Sequence, residues 1–282
     1  MTKSRPNPYL IDGPALISFS GGRTSGYMLH QIIQAHGGTL PDDVVVAFAN
    51  TGKEREETLR FVHECGARWG VRIRWLELTK RSGPAADRFE EVGFNSASRN
   101  GEPLARLIAA KQFKPNGVMR FCTEDTKVNT IRHFCEETLG WHSWKNVVGL
   151  RHDEGHRALK AYARNDEGKS PWVTYLPLDK ARVAKANVME FWAQQPFDLG
   201  LRGYEGNCDL CFLKGRGTLK AIIREHPGIA DWWIEQERIG KGTFNKDWSY
   251  ASLAREVEIQ PHLFDEVADM EADAECGLVC SS

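Results

Sequence analysis

Five short apolar runs are spaced along the first 180 residues of the chain, and longer amphipathic stretches separate them. The run at residues 44–49 is continuous and lies between turn signals, which is typical of a strand buried on both faces of a sheet. Residues 54–69 instead place Leu59 and Val62 at the spacing of one helix face. The predicted strands are residues 15–19, 44–49, 72–78, 146–150 and 172–178.

Strands that alternate with helices predict an α/β fold with a parallel sheet and right-handed crossovers. Residues 80–120 are rich in Gly, Pro, Asn and Ser, so we expect loops and short helices there. We divide the chain into an α/β domain, residues 1–178, and a mainly helical, cysteine-containing subdomain with an acidic tail, residues 179–282. Further helices are predicted at residues 124–139, 187–195, 218–224, 229–237 and 252–257.

The composition is that of a globular protein: 282 residues, 27% of them charged and 41% hydrophobic. These fractions exclude a disordered or fibrous chain. The net charge of -1 indicates no global basic field for nucleic acid, although a local patch remains compatible with it. No apolar run approaches the roughly 20 residues that span a bilayer, and the N-terminus lacks a signal-peptide pattern. We therefore expect a cytoplasmic protein without a membrane partner.

The sequence SGGRTS at residues 20–25 follows the first predicted strand and opens a helix. Small residues in such a turn let backbone N–H groups approach a phosphate, and the helix N-terminus adds partial positive charge. The hydroxyls of Ser20, Thr24 and Ser25 can add donors. From the turn alone, an ordinary Gly-containing connection explains these residues equally well. The turn matches neither a Walker loop nor the dinucleotide-binding fingerprint.

Two further segments are predicted at the same carboxyl edge of the sheet, where open α/β sheets bind their ligands. NTGKE (residues 50–54) ends the second strand, and GLRHDEGHR (residues 149–157) follows the fourth. The second segment contains Arg151 and Arg157. Two arginines at a strand exit can bind a phosphate or a related oxyanion.

Seven cysteines in a chain expected in a reducing compartment favour metal binding or sulfur chemistry over disulfides. Cys208 and Cys211 form a C-x-x-C pair, which lets two thiolates reach one metal centre. Cys122 precedes a predicted helix, whose N-terminus would favour its thiolate. A four-thiolate zinc site that includes the tail pair Cys276 and Cys280 would leave Cys122 unexplained, while redox or persulfide thiols need no metal. The remaining two, Cys65 and Cys135, are predicted core residues.

The four motifs SGGRTS, NTGKE, RFCTEDTK (residues 120–127) and GLRHDEGHR, in this order, resemble the phosphoadenosine-phosphosulfate reductase family of PP-loop adenine-nucleotide α-hydrolases. The resemblance covers about residues 15–157 and implies a Rossmann-like, five-stranded parallel sheet with helices on both faces. It implies that ATP or an adenylyl sulfate binds with Mg²⁺. ATP-using members usually have Asp where this chain has Thr24, so we expect other carboxylates, such as Asp153 or Glu154, to serve Mg²⁺. The implied nucleotide-binding residues are Ser20, Gly21, Gly22, Arg23, Thr24, Ser25, Asn50 and Gly52, with Arg151 and Arg157 facing the reacting group.

The iron–sulfur members of that family imply a [4Fe–4S] cluster held by Cys122, Cys208 and Cys211. Either an iron stays open to carry sulfide, or Cys280 or Cys276 closes the set. Cys122 is also a candidate catalytic thiol. The three ligand hypotheses, a cluster, zinc and metal-free thiols, stay open on the sequence alone.

The function expected from this combination is ATP-dependent sulfur transfer by a branch of the family that resembles ATP pyrophosphatases. An acceptor oxygen attacks the α-phosphate, pyrophosphate leaves, and sulfur displaces the adenylate. The acceptor can be a nucleic acid, as in tRNA thiolation or DNA phosphorothioation. The other partners expected are a cysteine desulfurase as sulfur donor and a second copy of the chain. Reduction of adenylyl sulfate to sulfite is the first alternative, and a non-catalytic, nucleotide-binding regulatory subunit is the second.

Overall fold

One six-stranded sheet organises the protein, of which the computed structural model describes residues 6–239 and 241–259. Along the sheet the strands follow the order β4-β3-β2-β1-β5-β6. All neighbouring strands pair in parallel except β4, which is antiparallel to β3. The strands are β1 (Ala15–Ser18), β2 (Val44–Asn50), β3 (Ile73–Leu78), β4 (Phe89–Val92), β5 (Trp144–Val148) and β6 (Trp172–Tyr175).

The expectation of five parallel strands is corrected by β4, an antiparallel edge strand inside the stretch predicted to be loops and short helices. Its sequence, FEEV, is half charged, because an edge strand has no apolar layer on both faces. Arg74 of β3 reaches across to Glu91 of β4 at 2.8 Å. The spacing and number of apolar residues therefore did not reveal this strand, whose position in the sheet is set by its pairing with β3.

Helices cover both faces of the sheet and form the C-terminal part. Most predicted helices are present with bounds that differ by a few residues, and residues 102–111 form a ten-residue helix in the stretch predicted to contain loops and short helices. The helices are α1 (Arg23–Ala35), α2 (Glu56–Trp69), α3 (Glu102–Lys111), α4 (Phe121–Thr123), α5 (Thr130–Glu137), α6 (Gly155–Glu167), α7 (Pro177–Lys180), α8 (Lys185–Ala193), α9 (Arg216–Glu225), α10 (Asp231–Arg238) and α11 (Tyr250–Ile259).

A π-helical segment, Glu124–Asn129, joins α4 to α5. The three segments form one continuous helical stretch. Cys122 therefore lies in the first turn of this stretch rather than before it, which corrects the predicted start at residue 124. Thr126 donates a hydrogen bond to the carbonyl of Cys122 within the π-helical region. Widened turns of this kind are frequently found at functional sites.

Separate apolar clusters fill the space between these layers. One packs α1, α2 and α8 against the sheet around Phe48 and Phe61, and another lies on the opposite face around Phe134. A further cluster, which includes Trp233 and Tyr250, joins the C-terminal helices to α3 and Phe121. The proposed domain boundary at residue 178 stays a prediction.

The order in which the chain adds strands reverses at β1: β2 lies on one side of β1, and the later strand β5 lies on the other. At such a reversal the loops after the two strands diverge and leave a crevice at the carboxyl edge. The turns that follow β1 and β5 are the ones singled out in the sequence, residues 20–25 and 149–157. Within the described ranges, the structure has no helix whose length and hydropathy would suit a bilayer crossing.

Candidate functional site

The turn between β1 and α1 is shaped by two glycines. Gly21 has φ 79°, in the left-handed region that favours glycine, and Gly22 is the N-cap of α1. A Cβ on Gly21 would lie 2.7 Å from Thr58 Cγ2, so the turn also needs the missing side chain for packing against α2. The result is a tight connection that brings backbone amides to the N-terminus of a 13-residue helix, the arrangement suited to an anion.

From the sequence we expect the three hydroxyls of this turn to be available as donors to a phosphate. In the structure two of them donate within the turn. Ser20 donates to Ser25 Oγ at 3.0 Å, and Ser25 donates to the Gly22 carbonyl at 2.9 Å, so both first stabilise the turn itself. Thr24 Oγ1 accepts a hydrogen bond from Arg151 Nη1 at 3.1 Å. The threonine thus connects the turn after β1 with the turn after β5.

Arg23, predicted to bind the nucleotide, is a structural anchor in this conformation. Its Nε lies 2.7 Å from Asp198 Oδ1, and its Nη1 donates to the Leu201 carbonyl at 3.0 Å. Desolvation raises the pKa of Asp198, but the hydrogen bonds and the charge of Arg23 outweigh it, and the pKa lies below its ordinary value. The arginine thereby ties the start of α1 to the segment that runs toward the C-x-x-C pair.

The two predicted arginines of the turn after β5 are brought together by a carboxylate that lies between them. Glu154 accepts from the backbone N–H of Arg151 at 3.0 Å and from Arg157 Nη1. Arg151 Nε also donates to Asp153 at 2.9 Å. The two guanidinium groups are thus held in defined positions, while the carboxylates expected to serve Mg²⁺ both contact cationic groups.

Asn50 and Gly52, the other predicted nucleotide-binding residues, lie in a buried hydrogen-bond network. The Asn50 amide donates to Glu77 at 2.6 Å and to the Ser98 carbonyl at 2.9 Å, and its oxygen accepts from the Gly52 N–H at 3.1 Å. Gly52 has φ 77° and lies against Gly101, whose N–H donates to its carbonyl at 2.9 Å. Their contacts explain these residue types by packing and turn geometry, and a role in nucleotide binding stays a prediction.

A cavity of about 280 Å³ opens beside the turn after β1. One wall is apolar and comes from α8 and the segment that follows it, with Val188 and Leu201 as members. The other wall is cationic and contains a single lining carboxylate, Glu154. The cationic side chains that line it are Arg23, Arg151, Arg157, Lys185 and Arg202. Such a wall suits a multiply charged anion.

The loop that carries Cys208 and Cys211 is attached to the same edge of the sheet. Residues 53–55, directly after β2, pair with it through an antiparallel bridge between Glu54 and Cys208. Arg55 N–H donates to the Asn207 carbonyl at 2.8 Å, and Asp209 N–H donates to the Lys53 carbonyl at 2.9 Å. The Asn207 amide also donates to the carbonyl of Ser20 at 2.9 Å, so the cysteine loop touches the glycine turn.

Sequence reasoning missed the buried ionic groups that hold the cysteine loop. Asp209 lies 2.8 Å from Lys53 Nζ and accepts from Trp233 Nε1 at 2.9 Å. Lys214, only 4% exposed, donates to the carbonyls of Cys208 and Asp209. The signal available in the sequence was the presence of charged residues directly beside the cysteines, but their partners lie far along the chain.

The cysteine thiols differ in their surroundings. Cys208 and Cys211 are joined by a hydrogen bond, which together with burial raises the pKa of Cys208 well above that of a free thiol. Cys122 and Cys208 are half-buried and pack against the same apolar cluster. Lys127, on the helical stretch of Cys122, lies 3.2 Å from Glu54, the residue that bridges to Cys208. Cys276 and Cys280 lie outside the described residues.

The donor chemistry fits an iron–sulfur cluster, since Cys122, Cys208 and Cys211 supply soft thiol ligands at one edge of the sheet. The three sulfur atoms do not form a set within 4.8 Å of one another, as one shared ion would require. In residues 6–239 and 241–259, the group with that spacing is Glu205, Glu225 and His226, which Arg55 and Arg202 already neutralise. The three thiols are therefore not arranged around one shared ion in this conformation.

Cys65 and Cys135 are fully buried, as predicted for core residues. Burial raises the pKa of Cys65, and it raises the pKa of Cys135 to about 12. Both thiols therefore remain protonated near neutral pH and lie within separate apolar clusters. Neither belongs to the candidate site.

The fold and the site define a Rossmann-like α/β protein whose glycine turn, arginine pair and cysteine loop meet at one edge of the sheet. No family model matches the chain. It is 28% identical over 225 residues to the uncharacterized nin region protein ORF290 of Escherichia phage lambda, covering 76% of this chain and 71% of that protein. It is 24% identical over 246 residues to the uncharacterized protein MJ0066 of Methanocaldococcus jannaschii, covering 84% of this chain and 45% of that protein.

Among solved structures, the chain is similar to the U34-tRNA thiolase NcsA from Methanococcus maripaludis with its [4Fe–4S] cluster. The TM-score is 0.38 at 13% sequence identity, with 95% of this chain and 80% of that chain covered. The two relatives reported above are uncharacterized proteins, so the functional conclusion rests on the geometry of the site.

Proposed function

We propose that this chain is an ATP-dependent sulfurtransferase of the PP-loop type. It activates an oxygen of an acceptor by adenylation and then replaces that oxygen with sulfur. The observation that supports this most is the 2.9 Å hydrogen bond from Asn207 to the Ser20 carbonyl, because it joins the cysteine loop to the glycine turn. An electrophile activated by adenylation and a soft sulfur nucleophile are complementary, and their two binding elements lie side by side.

In the first half of the reaction the acceptor oxygen attacks the α-phosphorus of ATP and pyrophosphate leaves. Backbone N–H groups of residues 20–25 and the positive end of α1 bind the departing phosphates. Arg151 and Arg157, held together by Glu154, neutralise the charge that develops on them. Five cationic side chains line the cavity, and a polyanion there would compete with the carboxylates that pair with the four arginines among them.

In the second half a sulfur nucleophile attacks the activated carbon or phosphorus of the acceptor, and AMP leaves with its bonding electrons. A [4Fe–4S] cluster bound by Cys122, Cys208 and Cys211 would supply that sulfur. The raised pKa of Cys208 favours its protonated thiol in the metal-free protein, so metal binding at Cys208 must release a proton. Lys53, Asp209 and Lys214 are buried and hold the loop in place through their ion pair and hydrogen bonds.

Pyrophosphate release from ATP, measured with and without tRNA or DNA, tests the first half. Arg151→Ala is expected to lower this rate by at least about 10²-fold, the usual cost of removing one charge-stabilising group. Arg238→Ala is the matched control, because this arginine is exposed on α10 and pairs with Glu235 in the same helix. An unchanged rate in Arg151→Ala would contradict the proposed role of the cavity.

Cys208→Ser tests the second half separately. Protein purified without oxygen is expected to be brown, and this variant is expected to lose the colour and the sulfur transfer while it retains nucleotide binding. Stoichiometric zinc in a colourless wild-type protein would refute the cluster. Sulfite formed from adenylyl sulfate would instead indicate the reductase reaction, and nucleotide binding with neither product would indicate a regulatory subunit.

A further inference from the structure

Asn207 connects two parts of the site that lie 187 residues apart in the chain. Its side-chain amide donates to the Ser20 carbonyl at 2.9 Å, while its own carbonyl accepts from the Arg55 N–H at 2.8 Å. The residue immediately after it is Cys208. One side chain therefore spans the gap between the glycine turn and the C-x-x-C loop.

The peptide group that Asn207 contacts belongs to the turn that we propose binds the phosphates. In a planar trans peptide the C=O and the N–H point in opposite directions, so the bond at the Ser20 carbonyl aims the Gly21 N–H away from Asn207. A hydrogen bond to the carbonyl also polarises the N–H of the same peptide group and strengthens it as a donor. Thr58 of α2 lies so near this turn that a Cβ added to Gly21 would be 2.7 Å from its Cγ2, so α2 limits the space into which the turn can move.

The other end of the connection is equally constrained. Cys208 forms the bridge with Glu54, and the Asp209 N–H donates to the Lys53 carbonyl at 2.9 Å. Cys208 is partly exposed and packs against the apolar cluster of the C-terminal helices, so the access of a reagent to its thiol depends on the position of the loop. Asn207 is the neighbouring residue in that loop, and its two hydrogen bonds help to set this position.

We infer that Asn207 is a positioning residue that couples the two halves of the site, so that nucleotide bound at residues 20–25 changes the reactivity of Cys208. The inference rests on the proposed function for the identity of the ligand, whereas the coupling rests on the hydrogen bonds of Asn207. A polyphosphate that accepts from the Gly21 N–H strengthens the bond at the Ser20 carbonyl. The cysteine loop is then held more tightly when nucleotide is present, and sulfur transfer is timed to follow nucleotide binding.

The test compares alkylation of Cys208 in the full-length, metal-stripped protein with and without a non-hydrolysable ATP analogue. Peptide mass spectrometry reports the rate at each cysteine, and equilibrium dialysis reports the binding of the analogue. In the wild type the analogue is expected to slow alkylation of Cys208 about fivefold, the factor expected from one net hydrogen bond. The rate at Cys65, which is fully buried in the core, serves as an internal reference for unfolding.

Asn207→Leu removes the donor at nearly constant side-chain volume and is expected to abolish the effect of the analogue on Cys208. The variant is expected to fold, because Arg23 and Asp198 still hold the preceding segment. Asn207→Gln retains an amide and is expected to restore part of the response. Asn187→Leu is the control for the same substitution at a local hydrogen bond, since the Asn187 side chain accepts from the Ala184 N–H, whereas the Asn207 side chain donates to the turn.

The outcomes distinguish failure of the proposed function from failure of the coupling. If the wild type binds no analogue, the proposed function is wrong, and the coupling, which needs bound nucleotide, is wrong as well. If the analogue binds but Cys208 reacts at the same rate, only the coupling is wrong. A response in Asn207→Leu equal to that of the wild type would also overturn the coupling, whereas its selective loss would support it.

Discussion

The buried ion pair between Lys53 and Asp209 tests whether the cysteine loop depends on the groups beneath it. Asp209→Asn is the perturbation, since asparagine has nearly the same shape and retains an oxygen for Trp233 Nε1. The substitution removes the negative charge and replaces the oxygen that faces Lys53 Nζ by an NH2 group, which cannot accept from it. Lys53 would then remain buried without its counter-ion.

The magnitude follows from the geometry of the pair. Lys53 Nζ and Asp209 Oδ2 are 2.8 Å apart, and the two side chains are 8% and 10% exposed. At an effective dielectric constant of about 20 their attraction is about 6 kcal/mol, much of which offsets desolvation. Loss of one partner from a buried pair costs about 3–5 kcal/mol. The Trp232 ring, 4.9 Å from Lys53 Nζ, remains in the variant, so we expect a loss near the lower end.

Urea unfolding of the full-length protein, followed by circular dichroism, measures the change in the free energy of unfolding. Asp87→Asn is the control: the pair of Asp87 with Lys80 is about half exposed, and its loss should cost less than about 1 kcal/mol. Combining Asp209→Asn with Lys53→Met should recover most of the lost stability, because the unpaired charge is removed. The reasoning is refuted if Asp209→Asn costs no more than the exposed control.

Two further predictions concern the glycine turn and its anchor. Asp198 has a lowered pKa in the folded protein, so its stabilising effect is present above the ordinary pKa of an aspartate and is lost as the pH falls through the lowered value. The free energy of unfolding, measured from neutral to acid pH, should therefore fall less steeply in Asp198→Asn than in the wild type. An equal fall in both proteins would contradict the role of Arg23. Gly21→Ala places a Cβ 2.7 Å from Thr58 Cγ2 at φ 79°, so it should destabilise the protein by about 1–3 kcal/mol and weaken nucleotide binding. Gly37 has a similar φ but open space around it, so Gly37→Ala reports the cost of backbone strain without crowding. The same urea denaturation assay measures both variants.

The candidate site was only partly predictable from the sequence. The turn at residues 20–25 and the arginines after β5 were found because strand exits and glycine turns carry local signals. Asn50 and Gly52 lie at the predicted edge, but the buried contacts with Glu77 and Gly101 that account for them join distant parts of the chain. Local motifs mark where a turn occurs and do not reveal which groups its side chains will meet.

By itself the sequence determined the α/β class and the central strands, because a strand buried on both faces must be apolar along its length. It also marked the glycine turn at residues 20–25 and the cysteines whose spacing suits a shared centre. Only the tertiary structure decided that FEEV at Phe89–Val92 is a strand, that Arg23 binds Asp198, and that Asn207 reaches Ser20. The physical reason is that burial and backbone geometry restrict residue types locally, whereas a hydrogen bond or ion pair between distant segments depends on the path of the whole chain.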